Sequence, residues 1–399
     1  MNPFPRHWPS RLVWVTSGLM ATAGPLLADM RVIPTEQHTV RATVVLDGLD
    51  HPWGMAWLPD GRILITERRG NLRVVKDGKL LPKPVAGLPK VTEHGQGGLL
   101  DVVLHPDYAK NGWIYWSYNA VDPARSGLHG TEVARGKLSA DGTLMTDVQV
   151  IFRMAPKSGA GQHFGSRLVF DRTNFLYITL GDRGDSTGKG TEQRAQKLDD
   201  HAGKVIRLHD DGRVPTDNPF ARTAGAQPEI FSLGHRNVQG AALHPATGKL
   251  WTHEHGPQGG DEINIETAGA NYGWPVITHG VNYVLGTKIG EGKEKPGMVP
   301  PQHVWVPSIA PSGMSFYTGK RLANWQGDLF VGALAGQTLV RLTLDGEKIV
   351  REERLFHQQF GRIRDVRQGP DGLLYLLTDS GEGELIRLEP EGSRKTGSP

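Results

Sequence analysis

Along the chain, short runs of β-branched, aromatic and leucine residues recur behind turns built from Pro, Asp, Asn and Gly. Six such units stand in order. Leu58-Pro59-Asp60-Gly61 precedes Ile63-Leu64-Ile65-Thr66, His105-Pro106-Asp107 precedes Trp113-Ile114-Tyr115-Trp116, and Asp171-Arg172-Thr173-Asn174 precedes Leu176-Tyr177-Ile178-Thr179. His244-Pro245 precedes Lys249-Leu250-Trp251-Thr252, Trp325-Gln326-Gly327-Asp328 precedes Leu329-Phe330-Val331, and Gly369-Pro370-Asp371-Gly372 precedes Leu374-Tyr375-Leu376-Leu377-Thr378. Each couples a chain reversal to a run of strand formers, which is a hairpin signal. No stretch sustains a helical period, apart from a short helix predicted around Thr191 to Asp199, which argues against an α/β sheet. The units are spaced by roughly 60 residues, longer than a typical four-stranded blade and consistent with inserted loops. The pattern predicts an all-β chain: a six-bladed β-propeller of four-stranded antiparallel blades over residues 29–388, with a two-domain β-sandwich as the alternative.

Three segments stand outside the repeat. Residues 1–28 combine Arg6 and Arg11 with an apolar stretch from Leu12 to Ala28, interrupted by Gly18, Gly24 and Pro25 and ending in small residues. This reads as a signal peptide cleaved near Ala28, since a membrane span needs about 20 continuous apolar residues. The expectation is a periplasmic or secreted protein with no membrane span in the mature chain. Gly286 to Gly297 reads as a long surface loop, and residues 389–399 as a flexible tail.

Composition narrows the chemistry. Among 399 residues there is no Cys, which removes disulfides, thiolate metal sites and a Cys nucleophile, so any metal must be held by oxygen or imidazole. The first 28 residues hold two of the 45 basic residues and none of the 42 acidic ones, so the remainder carries a net charge of +1. That balance gives no case for nucleic acid. With no obvious apolar edge, it makes a monomer the default.

There is no GxSxG elbow, HExxH helix or EF-hand loop, and Gly188-Lys189 lacks the upstream Gly of a phosphate loop. Polar clusters in Gly-rich loops remain, and in a propeller such loops gather at one mouth of the channel. His94 to Asp101 carries Gln96 between glycines, which read alone is a tight turn before a strand. Gly161 to Arg167 places His163 one strand before Gly181-Asp182-Arg183-Gly184-Asp185, so a carboxylate could orient the imidazole as a base; an isolated His is more often structural. Gly234 to Gly240, Glu254 to Glu262 and Asn271 to Pro275 offer acids, carbonyls and Gly-Pro turns suited to a hard cation such as Ca²⁺. His253 and His255 make zinc a conceivable rival without a third ligand. Arg362 and Arg364, two apart, could clamp a planar polyacid; read alone they are a surface charge pair.

Taken in order, these clusters, with His51-Pro52-Trp53 and Ser312 to Tyr317, resemble the soluble PQQ-dependent sugar dehydrogenases. They are more similar to the aldose sugar dehydrogenase branch than to the soluble glucose dehydrogenase branch. The resemblance runs from about His38 to Leu388 and implies a six-bladed propeller, an aldose substrate, pyrroloquinoline quinone (PQQ) and Ca²⁺ as cofactors, and an electron acceptor that the sequence does not name. On that resemblance His163 would take the proton from the sugar C1 hydroxyl as hydride leaves to the quinone, and Asp182 would orient His163. Arg236 and Asn237 would contact the quinone oxygens, Gln96 and His255 would contact the cofactor, and Arg362 and Arg364 would pair with its carboxylates. Carbonyls of Gly256 and Pro257 would hold the catalytic Ca²⁺, while Glu262 and the Tyr272 region would hold a second one.

The sequence departs from the family at Ala335, where a Lys that binds the quinone is common. Losing one cation would weaken binding by roughly 1 to 3 kcal/mol, so retained but weaker PQQ binding is expected. Two other readings compete: a Ca²⁺-dependent sugar lactonase, which would have no polyacid for Arg362 and Arg364, and a binding propeller, which would have no use for a paired base.

Overall fold

All six turn signals fall in the reversal between the first and second strands of a sheet, one per sheet. The computed structural model describes residues 30–184 and 193–392. The six first strands are Pro52–Trp57, Leu99–Leu104, Leu168–Phe170, Val238–Leu243, Pro311–Phe316 and Ile363–Gln368, here blades 1 to 6 in that order. Each neighbours the next, and the sixth neighbours the first, which makes a closed ring of inner strands: a six-bladed β-propeller.

The sheets stack face to face. Buried apolar clusters lie between blades 1 and 2 around Trp116, between 2 and 3 around Tyr115, and between 3 and 4 around Tyr177. The ring continues with clusters around Trp251, Trp325 and Leu377. With both faces covered, the second strands of the blades are buried almost throughout, as in Leu374–Thr378, and show no apolar–polar alternation.

Ring closure joins the two ends of the described chain. Thr39–Leu49 pairs antiparallel with Gly383–Pro390, from Val40 opposite Pro390 to Leu49 opposite Gly383. Met30–Pro34 then folds back onto Thr39–Leu49, so blade 6 has five strands where four were expected. The last strand runs to Pro390, two residues into the expected tail. The predicted signal peptide and residues 393–399 lie outside the described residues, as do Asp185 and Thr191. Of the expected helix, a single 3₁₀ turn at Arg194–Gln196 is present; one α-helical turn at Tyr108–Asn111, too short to show a period, was missed. Among the described residues no helix is long and apolar enough to cross a membrane.

Three buried charges and the partly exposed Arg367 meet where the inner strands of blades 2, 3 and 6 approach one another. Arg167 Nη1 lies 3.1 Å from Asp101 Oδ1 and 3.1 Å from Asp365 Oδ1. Arg367 lies 2.7 Å from Asp101 and 3.0 Å from Asp365. Arg167 also donates to the Gln239 carbonyl and sits over the Trp53 ring, 4.4 Å from its centroid. Removing one member of such a network strands a buried charge, at a cost of about 3–5 kcal/mol. Arg167→Met is therefore expected to lose about that much stability, read as a lower urea midpoint at unchanged slope; an unchanged midpoint would show that the network contributes nothing.

Candidate active site

The chemistry-bearing residues sit at two recurring places: just before a blade's first strand and just after its second. His51, Gln96, the stretch from His163 to Arg167, Asn237 and Arg362 occupy the first place. Arg68, Asp182, His255, Leu334 and Asp379 occupy the second. In an antiparallel blade these two places face the same end of the ring, so segments from all six blades converge on one mouth.

His163 holds a left-handed backbone, φ 53°, on the segment between blades 2 and 3. Its N–H donates to Gln96 Oε1 at 2.9 Å, and its ring Nδ1 is 2.6 Å from Asp182 Oδ1. Asp182 Oδ1 also accepts from the Gly184 N–H at 2.7 Å, and Oδ2 accepts from the Trp274 indole at 2.7 Å. A Cβ at Gly181 would overlap the His163 carbonyl, so glycine there permits this close approach of loop and strand.

Burial would push the Asp182 carboxyl up, but the His163 hydrogen bond, the charges of His163 and Arg236 and the Gly184 amide together hold it below its ordinary value. Burial lowers the His163 pKa, and the Asp182 interaction opposes this without reversing it. The ionised carboxylate accepts only, so Nδ1 carries the proton and Nε2 keeps a free lone pair. Among the described residues Nε2 has no hydrogen-bond partner, and the side chain retains a small exposure. The arrangement is a neutral, oriented base.

Beside it lies a cavity of about 480 Å³, a size typical of small-molecule sites. Gln96, Phe164, Gly165, Asn237, His255, Arg362 and Arg364 line it, together with His51 of the His51-Pro52-Trp53 motif and with Arg68 and Asp379, which the sequence did not single out. Trp53, Leu100 and Phe164 pack together as an apolar patch in its wall. Arg364 Nη2 donates to Asp379 Oδ2 at 2.8 Å and Nη1 to Gln239 Oε1 at 3.2 Å, while the more exposed Arg362 reaches the same Asp379 oxygen at 3.4 Å. His51 Nδ1 is 3.1 Å from Asp379 Oδ1. Burial would raise the Asp379 carboxyl, but Arg364 and the His51 hydrogen bond hold it well below the usual carboxylate range. Ala335 is exposed, and its neighbour Leu334 faces the cavity instead.

Arg236 and His163 are not among the residues facing this cavity. The Arg236 guanidinium donates to the carbonyls of His255, at 3.0 Å, and Gly256, at 2.6 Å. It borders a second, much smaller space of about 10 Å³, together with Glu254, Gly256, Glu262 and Tyr272. Burial and the nearby Glu254 charge push the Glu262 carboxyl up to about 8. The Tyr272 hydroxyl donates to the Ile265 carbonyl and accepts from the Thr267 N–H, so this phenol is fully engaged. Pro257 is buried beside Gly256.

His255 Nε2 hydrogen-bonds the Pro311 carbonyl, and burial drops its pKa to about 3. His253 is buried with neither ring nitrogen hydrogen-bonded. Among the described residues no three His, Asp or Glu side chains converge as a metal site, so a cation here would depend on backbone carbonyls.

Comparison with known proteins agrees with this architecture. The Glucose / Sorbosone dehydrogenase family matches residues 49–387. The aldose sugar dehydrogenase YliI of Escherichia coli is 46% identical over 369 residues, covering 92% of this chain and 97% of that protein. The crystal structure of the soluble aldose sugar dehydrogenase from Escherichia coli, in its apo form, superposes with a TM-score of 0.84 at 46% identity, covering 88% of this chain and 100% of that one. The PQQ-bound form of the aldose sugar dehydrogenase from Streptomyces coelicolor gives 0.72 at 28% identity, covering 90% and 100%. This chain belongs to the glucose/sorbosone dehydrogenase family.

Proposed function

We propose that the protein oxidises the C1 hydroxyl of aldoses to lactones with PQQ held in the large cavity. The observation that carries this is the pairing of a neutral, carboxylate-oriented imidazole with an adjoining cationic, aromatic-walled cavity. The residues present fit a flat polycarboxylate: Arg362 and Arg364 are placed to bind its carboxylates, and Trp53 and Phe164 offer apolar surface to its rings. Gln96, Asn237 and His255 supply polar contacts, with Arg236 behind them. The carbonyls of Gly256 and Pro257 are hard donors of the kind Ca²⁺ takes; the Gly256 oxygen, already accepting from Arg236, has a second lone pair. Glu262 and the Tyr272 backbone would hold a second Ca²⁺ next to Glu254. Leu334 and Ala335 bring no cation from blade 5, consistent with retained but weaker PQQ binding. The apolar run before Ala28 suits export to the periplasm.

When bound, PQQ with its Ca²⁺ supplies the hydride acceptor, the metal acting as a Lewis acid. The chain's own part is proton handling. His163 Nε2 takes the proton of the C1 hydroxyl, and the Asp182 carboxylate keeps Nδ1–H aimed and stabilises the imidazolium that forms. The Trp274 indole fixes the far oxygen of that carboxylate.

Purified protein is expected to reduce an electron-accepting dye with aldoses only after PQQ and Ca²⁺ are added. Absence of both turnover and saturable PQQ binding would overturn the proposal in favour of a hydrolase or a binding propeller. His163→Ala should keep PQQ binding and lose about 10²- to 10⁴-fold in turnover, the usual contribution of a positioned base; near-normal turnover would remove His163 from the reaction.

The pH profile tests the dyad. Since burial holds the His163 pKa below 6.5, kcat/KM should be flat above that pH and fall below it as the imidazole takes up a proton. Asp182 raises that pKa, so Asp182→Asn should shift the acid limb to lower pH while lowering the plateau; a limb that stays in place would mean another group titrates.

A further inference from the structure

We propose that Arg68 is a carboxylate-binding residue of the large cavity, acting beside Arg362 and Arg364. Arg68 follows Glu67, the last residue of the second strand of blade 1, and lines the cavity. That is the place in the repeat that His255, Leu334 and Asp379 occupy in blades 4, 5 and 6.

The charge balance makes the argument. Arg68, Arg362 and Arg364 face the cavity against one carboxylate, Asp379, which serves both blade 6 arginines. Among the described residues Arg68 has no comparable partner. Its Nη1 donates to the Gly95 carbonyl at 3.0 Å, its Nη2 lies 3.9 Å from the half-exposed Glu93, and its buried Nε has no hydrogen bond. Partly buried guanidinium groups in excess over carboxylates are costly unless an anion completes them, and Arg binds carboxylates through a planar fork. Blades 6 and 1 are neighbours in the ring, so the three guanidiniums come from adjoining walls and suit a ligand with more than one carboxylate. That this ligand is PQQ rests on the function proposed above; that Arg68 binds a carboxylate does not.

The test is binding to metal-supplemented protein, followed by equilibrium dialysis and by quenching of tryptophan fluorescence, with two probes: PQQ and benzene-1,3,5-tricarboxylate. Arg68→Gln is expected to weaken both by about 10- to 100-fold, the loss of a charge-assisted hydrogen bond, with unchanged circular dichroism. Arg68→Lys, which keeps the charge and loses the fork, should weaken them several-fold. It serves as the measurement if the Gln variant does not fold.

Unchanged binding in the folded variant overturns the proposal. So does a fall in turnover at unchanged dissociation constants, which would mean that Arg68 only braces the Gly95-Gln96 segment. Wild-type protein that binds the tricarboxylate but not PQQ refutes the cofactor while Arg68 is still judged on the tricarboxylate; wild type that binds neither refutes both.

Discussion

Asp101, Arg167, Asp365 and Arg367 meet between the inner strands of blades 2, 3 and 6 and connect blades that are not neighbours in the ring. A propeller's sheets pack only against their neighbours, so a tie between blade 2 or 3 and blade 6 has to cross the channel. Here each arginine forms ion pairs with both carboxylates, two charges of each sign. Two charges of each sign, each with two partners, meet the condition under which buried ions are tolerated. Trp53 lies against Arg167 on one side and belongs to the wall of the large cavity on the other, so the cluster and the cavity share this ring.

The contrast between the two layers is instructive. In the cluster the charges balance two against two; in the cavity three guanidiniums face one carboxylate. Arg364 bonds Asp379 and the Gln239 side chain and lies 5.9 Å from the centroid of the Trp53 ring, which also carries Arg167. The positive excess thus lies among the residues that line the cavity.

The ring was legible because each blade announces its first reversal with Pro, Asp, Asn or Gly ahead of strand formers. The fifth strand of blade 6 was not, because Met30–Pro34 is an isolated run with no turn signature tying it to a blade. Within the site, His163, Gln96, Asn237 and the two arginines of blade 6 were legible from Gly-rich or doubled motifs. Asp379 and Arg68 stand in ordinary strand-end sequence, and only their phase in the repeat marks them, while His51 was named within the His51-Pro52-Trp53 motif without a role of its own. Trp274 could not be found as a partner of Asp182 at all, since the two are 92 residues apart and nothing local links them. The four clustered charges escaped for the same reason: they come from three blades.

Two buried histidines show why the partner set, rather than burial, decides which imidazole can act as a base. His235 lies between Glu254 and Glu266, 2.8 and 3.6 Å away; burial disfavours its charge, but the two carboxylates outweigh this and raise its pKa to about 10. It is a standing cation stacked on Tyr272 and has no proton to accept. His163 has a single carboxylate, and that carboxylate also answers to the Trp274 indole, the Gly184 amide and the charge of Arg236. Divided in this way, Asp182 orients the ring without charging it. A second carboxylate on His163 would tighten the site and remove its lone base character, so the indole at the far oxygen of Asp182 is as much a condition for the proposed proton transfer as the imidazole itself.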